Sequence, residues 1–159
     1  GVAGFVAISY PAKGLWRLWK EQVGGISDPE ARQQAYLELD TMSGRVTGAP
    51  PEECVTFRGQ KIYFPAVKEL SSWDPVALAS SVKAPCLFAY PDKDQTVMAF
   101  HREVLAPALH AGQEVILLEG VGHRLTAMDQ ETGPSGLVEC RKLASVYRWL
   151  SQQQPQAGP

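Results

Sequence analysis

The chain has 159 residues, 45% of them hydrophobic and 20% charged, with a net charge of −2. A chain of this length buries roughly 68–70% of the surface it exposes when unfolded, enough for a real core. The near-neutral, slightly acidic balance carries no basic footprint for nucleic acid, and no apolar run approaches the ~18 residues of a membrane span.

The chain lacks an initiator Met, and Val2 to Ile8 is nearly all apolar before Ser9-Tyr10-Pro11. Such a run suits a strand covered on both faces, as in a parallel sheet. An opening in mid-strand leads us to expect that the preceding part of the domain is missing. Leu15 to Val23 places Trp16, Trp19 and Val23 at helical spacing, ended by Gly24-Gly25. Ser27-Asp28-Pro29-Glu30 has the pattern of a capping box with Pro at the first helical position. It predicts a helix to about Met42, with Gly44 near its end.

Val55-Thr56-Phe57 and Lys61-Ile62-Tyr63-Phe64, around Arg58-Gly59-Gln60, predict a hairpin closed by Pro65. A short helix is expected from Asp74-Pro75 to about Val82, then a second buried strand over Cys86–Tyr90. The spacing predicts an amphipathic helix over Thr96–Leu109, a third buried strand over Val115–Leu118, and a final helix over Leu137–Gln152. Val138, Leu143, Val146 and Leu150 are expected on the apolar side of that last helix. The tail, residues 153–159, is polar and rich in Pro and Gly, and is expected to be loose. Short apolar strands alternating with helices give the α/β class with parallel crossovers. Residues 12–82 are too long for one crossover and are expected to carry an insertion or lid after the first strand.

In open parallel sheets the site lies at the carboxyl ends of the strands. Asp94 leaves the second strand and His123 the third, in the loop Glu119-Gly120-Val121-Gly122-His123. A carboxylate on one imidazole nitrogen fixes the tautomer and frees the other nitrogen to act as a base. Tyr10 at the end of the first strand is a candidate pocket-lining, substrate-binding residue. Other readings stand beside these. Asp94 suits a cap for the helix near Thr96, and Asp92 is the runner-up acid or a solvated turn residue. His101 is read as a surface position on its helix, and His110 sits near a helix C-terminus, where a cation is favoured. Trp16 and Trp19 are read as packing. The three cysteines, Cys54, Cys86 and Cys140, are widely spaced and odd in number. They read as reduced thiols in a cytosol-like compartment, so the expected localisation is cytoplasmic, with an organelle as the alternative. No His/Cys cluster has ligand spacing, so neither metal nor cofactor is expected.

"DPVALASSVKAPCLFAYPDKDQTV" followed by "EVILLEGVGHRL" resembles the C-terminal half of the α/β-hydrolase superfamily. The nearest flavour is dienelactone-hydrolase-like or acyl-peptidase-like. In that family the triad acid lies in a G-x-x-D-x-x-V loop and the histidine follows the next strand. Here the acid falls on Asp94, with Val97 in place and Pro91 where the family has glycine, and the histidine falls on His123. The resemblance implies residues 1–152 as a partial hydrolase domain and an acyl substrate such as an ester or thioester. It also implies a serine ahead of the acid in a G-x-S-x-G elbow. No such motif occurs here. Ala7-Ile8-Ser9-Tyr10-Pro11 lacks both glycines, and Gly133-Pro134-Ser135-Gly136 follows His123 in the wrong order. The expectation is a chain with the acid and base of a triad but not its nucleophile, inactive alone. The alternative is a non-catalytic, hydrolase-derived subunit of a larger assembly. Either way the edge of the sheet near Val2–Ile8 should be covered by the missing half or by another chain.

Overall fold

The computed structural model describes residues 4–46, 48, 54–57, 60–129, 133–137 and 140–153. In chain order the elements are β1 (Phe5–Ile8), α1 (Leu15–Gly24), α2 (Pro29–Val46), β2 (Cys54–Phe57), β3 (Gln60–Tyr63), α3 (Phe64–Ser72) and α4 (Pro75–Ser81). Then follow β4 (Cys86–Pro91), α5 (His101–Leu105), β5 (Gln113–Leu118), β6 (Thr126–Asp129), β7 (Gly133–Leu137) and α6 (Ala144–Gln152). Short 3₁₀ turns, Ala106–Ala108 and Cys140–Leu143, precede β5 and α6. The chain forms two compact units. One comprises Gly1–Ala12 and Val76–Pro159, the other Lys13–Pro75.

The first unit is built on a parallel sheet in the order β1-β4-β5. Ile8 pairs with Ala89, and Ala89 with Ile116. The central strand β4 is buried along its whole length, which is why its sequence is a continuous apolar run rather than an alternation. Leu87 and Ala89 pack with Leu118, Val121, Val146 and Trp149 into one apolar cluster. The neighbouring positions Phe88 and Tyr90 leave on the opposite face of the strand. There the Phe88 ring meets Tyr10 edge-on at 5.3 Å, and the Tyr90 hydroxyl donates to the Tyr10 carbonyl at 2.8 Å. Burial, and then the nearby Tyr10, push the Tyr90 phenol far above its usual pKa. Burial also raises the Cys86 thiol. Cys86 and Cys54 are both free thiols.

The second unit is helical, with the antiparallel β2–β3 hairpin. Its interior is Val23, Ala35, Leu39, Met42, Val46, Phe64 and Val67. On α2 these fall four, three and four residues apart, a single stripe down one face. Trp16 and Trp19 meet edge-on at 5.4 Å against this cluster.

Several elements differ from the sequence expectation. The α2 cap is Asp28, whose Oδ1 accepts from the amides of Glu30 and Ala31, so Ser27 is not the capping residue. The helix runs through Gly44 to Val46, where a Cβ on Gly44 would meet nothing. Pro65 does not close the hairpin. It enters the first turn of α3, where its missing amide costs nothing.

The helix expected over Thr96–Leu109 is confined to His101–Leu105. Thr96 and Val97 instead donate their amides to Asp94, and Pro107 falls in a 3₁₀ turn. The last helix begins at Ala144, because Leu137 belongs to the β6–β7 hairpin. Its buried residues are Val146 and Trp149, while Leu150 is 41% exposed. Val138 and the tail from 154 onward lie outside the described residues. Among the described residues no helix is long and apolar enough to cross a membrane.

Candidate active site

All three sheet strands deliver a loop to the same edge. Leaving β1, Ser9 donates its amide to the Ala89 carbonyl at 2.9 Å and turns into the left-handed region, with φ 55°. The loops after β4 and β5 are laced together by backbone. The Asp92 amide donates to Leu118 O at 3.0 Å, and the Lys93 amide to Val121 O at 3.0 Å. Asp92 tightens the junction, its Oδ1 accepting from the amides of Gly120 at 2.7 Å and Val121 at 3.2 Å. Gly120 has φ 66°, a conformation glycine adopts without steric cost. The Lys142 ammonium donates to its carbonyl at 3.1 Å.

This frame brings Asp94 and His123 together. His123 Nδ1 lies 2.9 Å from Asp94 Oδ2. The Asp94 side chain has no exposed surface, whereas that of His123 is 42% exposed. The other carboxylate oxygen, Oδ1, accepts from the amides of Thr96 at 2.7 Å and Val97 at 2.8 Å. The same side chain therefore caps a turn with one oxygen and holds the histidine with the other. A third element joins them, because Ser9 Oγ donates to Asp94 Oδ2 at 2.6 Å. With Nδ1 turned to the carboxylate, Nε2 lies on the side of a ring open to solvent.

Among the other sequence candidates, Tyr10 stands at the β1 exit, with its ring against Phe88 and its carbonyl bonded to Tyr90. Asp92 is not a solvated turn residue, since its side chain fastens the histidine loop. His101 is not on the surface: it is fully buried, stacked on Phe100 at 4.8 Å, with Nδ1 accepting the Ala12 amide at 3.0 Å. His110 bonds through Nε2 to Val82 O at 2.8 Å. Among the described residues no cluster of His, Cys, Asp or Glu has the makings of a metal site. Sequence reasoning missed Ser9 as a partner of the acid. A serine at a strand exit gives little signal, and its partner lies 85 residues away.

No protein-family model matches the sequence, and no curated protein sequence matches it either. Solved structures do resemble it. The structure of DcsB in complex with its substrate analogue is 13% identical, with a TM-score of 0.53 over 96% of this chain and 57% of that one. The α/β hydrolase GrgF from Penicillium sp. sh18 is 15% identical, with a TM-score of 0.49 over 96% and 56%. A monoacylglycerol lipase from Paleococcus ferrophilus is 16% identical, with a TM-score of 0.48 over 96% and 60%. The chain spans less than two thirds of the length of each. At such identities the likeness is one of fold. The parallel β1-β4-β5 sheet with its flanking helices has an α/β-hydrolase-like fold.

Proposed function

We propose that Asp94 and His123 are the acid and base of a serine-hydrolase triad that cleaves an ester, thioester or related acyl bond. The observation that carries this reading is the 2.9 Å contact between a fully buried carboxylate and an exposed imidazole, on successive strand exits of one parallel sheet. In the reaction His123 Nε2 takes the proton of an attacking serine hydroxyl as the hydroxyl oxygen bonds to the acyl carbon. It then returns that proton to the leaving group. Asp94 holds the tautomer and stabilises the imidazolium that forms between these steps. Tyr10, at the neighbouring strand exit, is the proposed substrate-side residue.

The serine is to be sought outside these 159 residues, which contain no G-x-S-x-G. That absence also favours a second reading, a non-catalytic hydrolase-derived subunit that keeps the pair as a structural relic. In both readings the β1 edge needs cover. Among the described residues β1 pairs with β4 alone, and Phe5 at its start is 48% exposed. The missing half of the domain or another chain would supply that cover. The free thiols Cys54 and Cys86 suit a reducing, cytosol-like compartment.

The test is hydrolysis of a short-chain nitrophenyl ester by the full-length protein. Turnover that His123→Ala removes supports the enzyme. Turnover that survives His123→Ala removes this loop from the chemistry, and a full-length protein with no turnover favours the structural reading.

A further inference from the structure

Asp94 is buried, and an ionised carboxylate can accept about four hydrogen bonds, two at each oxygen. Here all four are made. The amides of Thr96 and Val97 fill Oδ1, and His123 Nδ1 and Ser9 Oγ share Oδ2. The serine contact is the shortest of the four, at 2.6 Å. It is held by a backbone conformation that residues other than glycine seldom adopt. Ser9 is buried too, so no exposed, freely rotating hydroxyl makes this bond. Nor does the arrangement activate Ser9 as a nucleophile. Its proton is committed to a carboxylate, which is far too weak a base to remove it.

We infer that Ser9 is a positioning residue, whose hydroxyl competes with His123 for Asp94 Oδ2 and so sets how strongly the carboxylate holds the imidazolium. This deepens the acid–base reading given above. A donor at Oδ2 withdraws charge from the oxygen that faces Nδ1. Removing it leaves more negative charge for His123 alone, which favours the protonated ring. The hydroxyl therefore weakens the hold of the carboxylate on an imidazolium.

The other charged groups nearby are fixed points for this test. They are Asp92 and Lys93 on the β4 exit, Glu119 and Arg124 on the histidine's own loop, and Lys142 from the 3₁₀ turn before α6. None is altered in the variants below.

The experiment is an NMR titration of the imidazoles in the full chain, for the parent, Ser9→Ala and Ser9→Gly. It needs no turnover, so its result is independent of whether the triad reading survives. The expected outcome is a His123 midpoint raised by about 0.5–1 pH unit in both variants, with His110 unmoved as the internal reference. Glycine adopts the left-handed conformation freely, so Ser9→Gly carries the test even if Ser9→Ala folds poorly. A midpoint that stays, falls, or rises in Ser9→Ala alone overturns the inference, the last because it would track backbone strain rather than the lost hydroxyl. Covalent labelling of Ser9 by a fluorophosphonate probe would also overturn it, by making Ser9 the nucleophile.

Discussion

The two units bury different things. Among the described residues of Lys13–Pro75 the buried interior is apolar, a stripe of α2 closed over by Val23, Phe64 and Val67. The sheet unit buries Ser9, Asp94, His101 and Gln113 besides its aliphatic cluster. Each of these makes a specific bond: Ser9 to Asp94, the Ala12 amide to His101, and Gln113 Nε2 to the Ala79 carbonyl at 2.9 Å. A buried polar group costs stability unless it is paired, so an apolar interior is the cheaper solution for holding a fold together. The second unit takes that solution. The sheet unit does not, and two of its buried polar groups, Ser9 and Asp94, lie at the strand exits, where they support the exposed His123.

The contrast breaks most visibly under substitution of the pair itself. Under the proposed triad, His123→Ala in the full-length protein should remove most turnover of a nitrophenyl ester, and Asp94→Asn should lower kcat by about 10³–10⁴-fold. Asn preserves an acceptor for the amides of Thr96 and Val97. It turns an NH₂ toward Nδ1, however, and so stabilises the tautomer that lacks a base at Nε2. A wild-type rate in Asp94→Asn would move the acid elsewhere, with Asp92 the first alternative.

The next effect belongs to the other unit. Leu39 is fully buried at the centre of the α2 stripe. Leu39→Ala should cost about 2–5 kcal/mol through lost transfer energy and the cavity left behind. Urea denaturation measures the loss. The His123 titration midpoint should stay where it is, since the bonds that hold the pair are all made within the sheet unit. A shifted midpoint would show that the two interiors are not independent.

What the sequence made legible follows from the same contrast. Cys86–Tyr90 is legible because a strand covered on both faces must be apolar on both; Val115–Leu118 gives the same signal, although Val115, Ile116 and Leu117 are only half-buried in the structure. Asp94 and His123 stood out because they leave successive strands of that kind. Conformation-dependent features did not show. The left-handed turn of Ser9 depends on a bond to Asp94 across the sheet. His101 sits at a helical spacing that suits a surface position as well as a buried one, and only tertiary packing decides between them. Pro65 after a strand suits a stop as well as the start of α3 that it makes. Leu143, Val146 and Leu150 keep a helical spacing that extends an expected helix back to Leu137, which instead ends β7.

A smaller effect sits on the buried face of β4. Tyr90 donates to Tyr10 O, and burial holds its phenol above the usual value. The folded state thus resists deprotonation where the unfolded chain does not. The stability this gives is complete below about pH 10, the ordinary tyrosine value, and is lost as pH rises beyond it. Cys86, raised by burial, adds a loss of the same sign above the ordinary thiol range. Tyr90→Phe should cost about 1 kcal/mol at neutral pH, the worth of one hydrogen bond. It should also flatten the alkaline fall, as read from melting temperatures between pH 8 and pH 11.5. An unchanged alkaline slope would assign that fall to other groups.

The smallest effect should come from removing only the charge of Asp92, the other carboxylate at the strand exits, and it sharpens the comparison most. Asp92 and Asp94 are two residues apart, and each accepts two backbone amides through a single oxygen. Their second oxygens differ. Asp94 Oδ2 meets His123, whereas Asp92 Oδ2 meets the half-exposed Lys93 ammonium at 3.3 Å, a solvent-screened pair of little consequence. Asp92→Asn keeps a carbonyl oxygen for the amides of Gly120 and Val121, and should change kcat less than threefold. Asp92→Ala removes that oxygen, leaves both amides without their acceptor, and should loosen the loop that carries His123. Its expected signature is a drop in kcat/KM of about tenfold, the equivalent of one lost hydrogen bond to a charged group. Steady-state kinetics of the two variants side by side decide the point. A large loss in Asp92→Asn would mean that its charge, and not its acceptor geometry, serves the reaction.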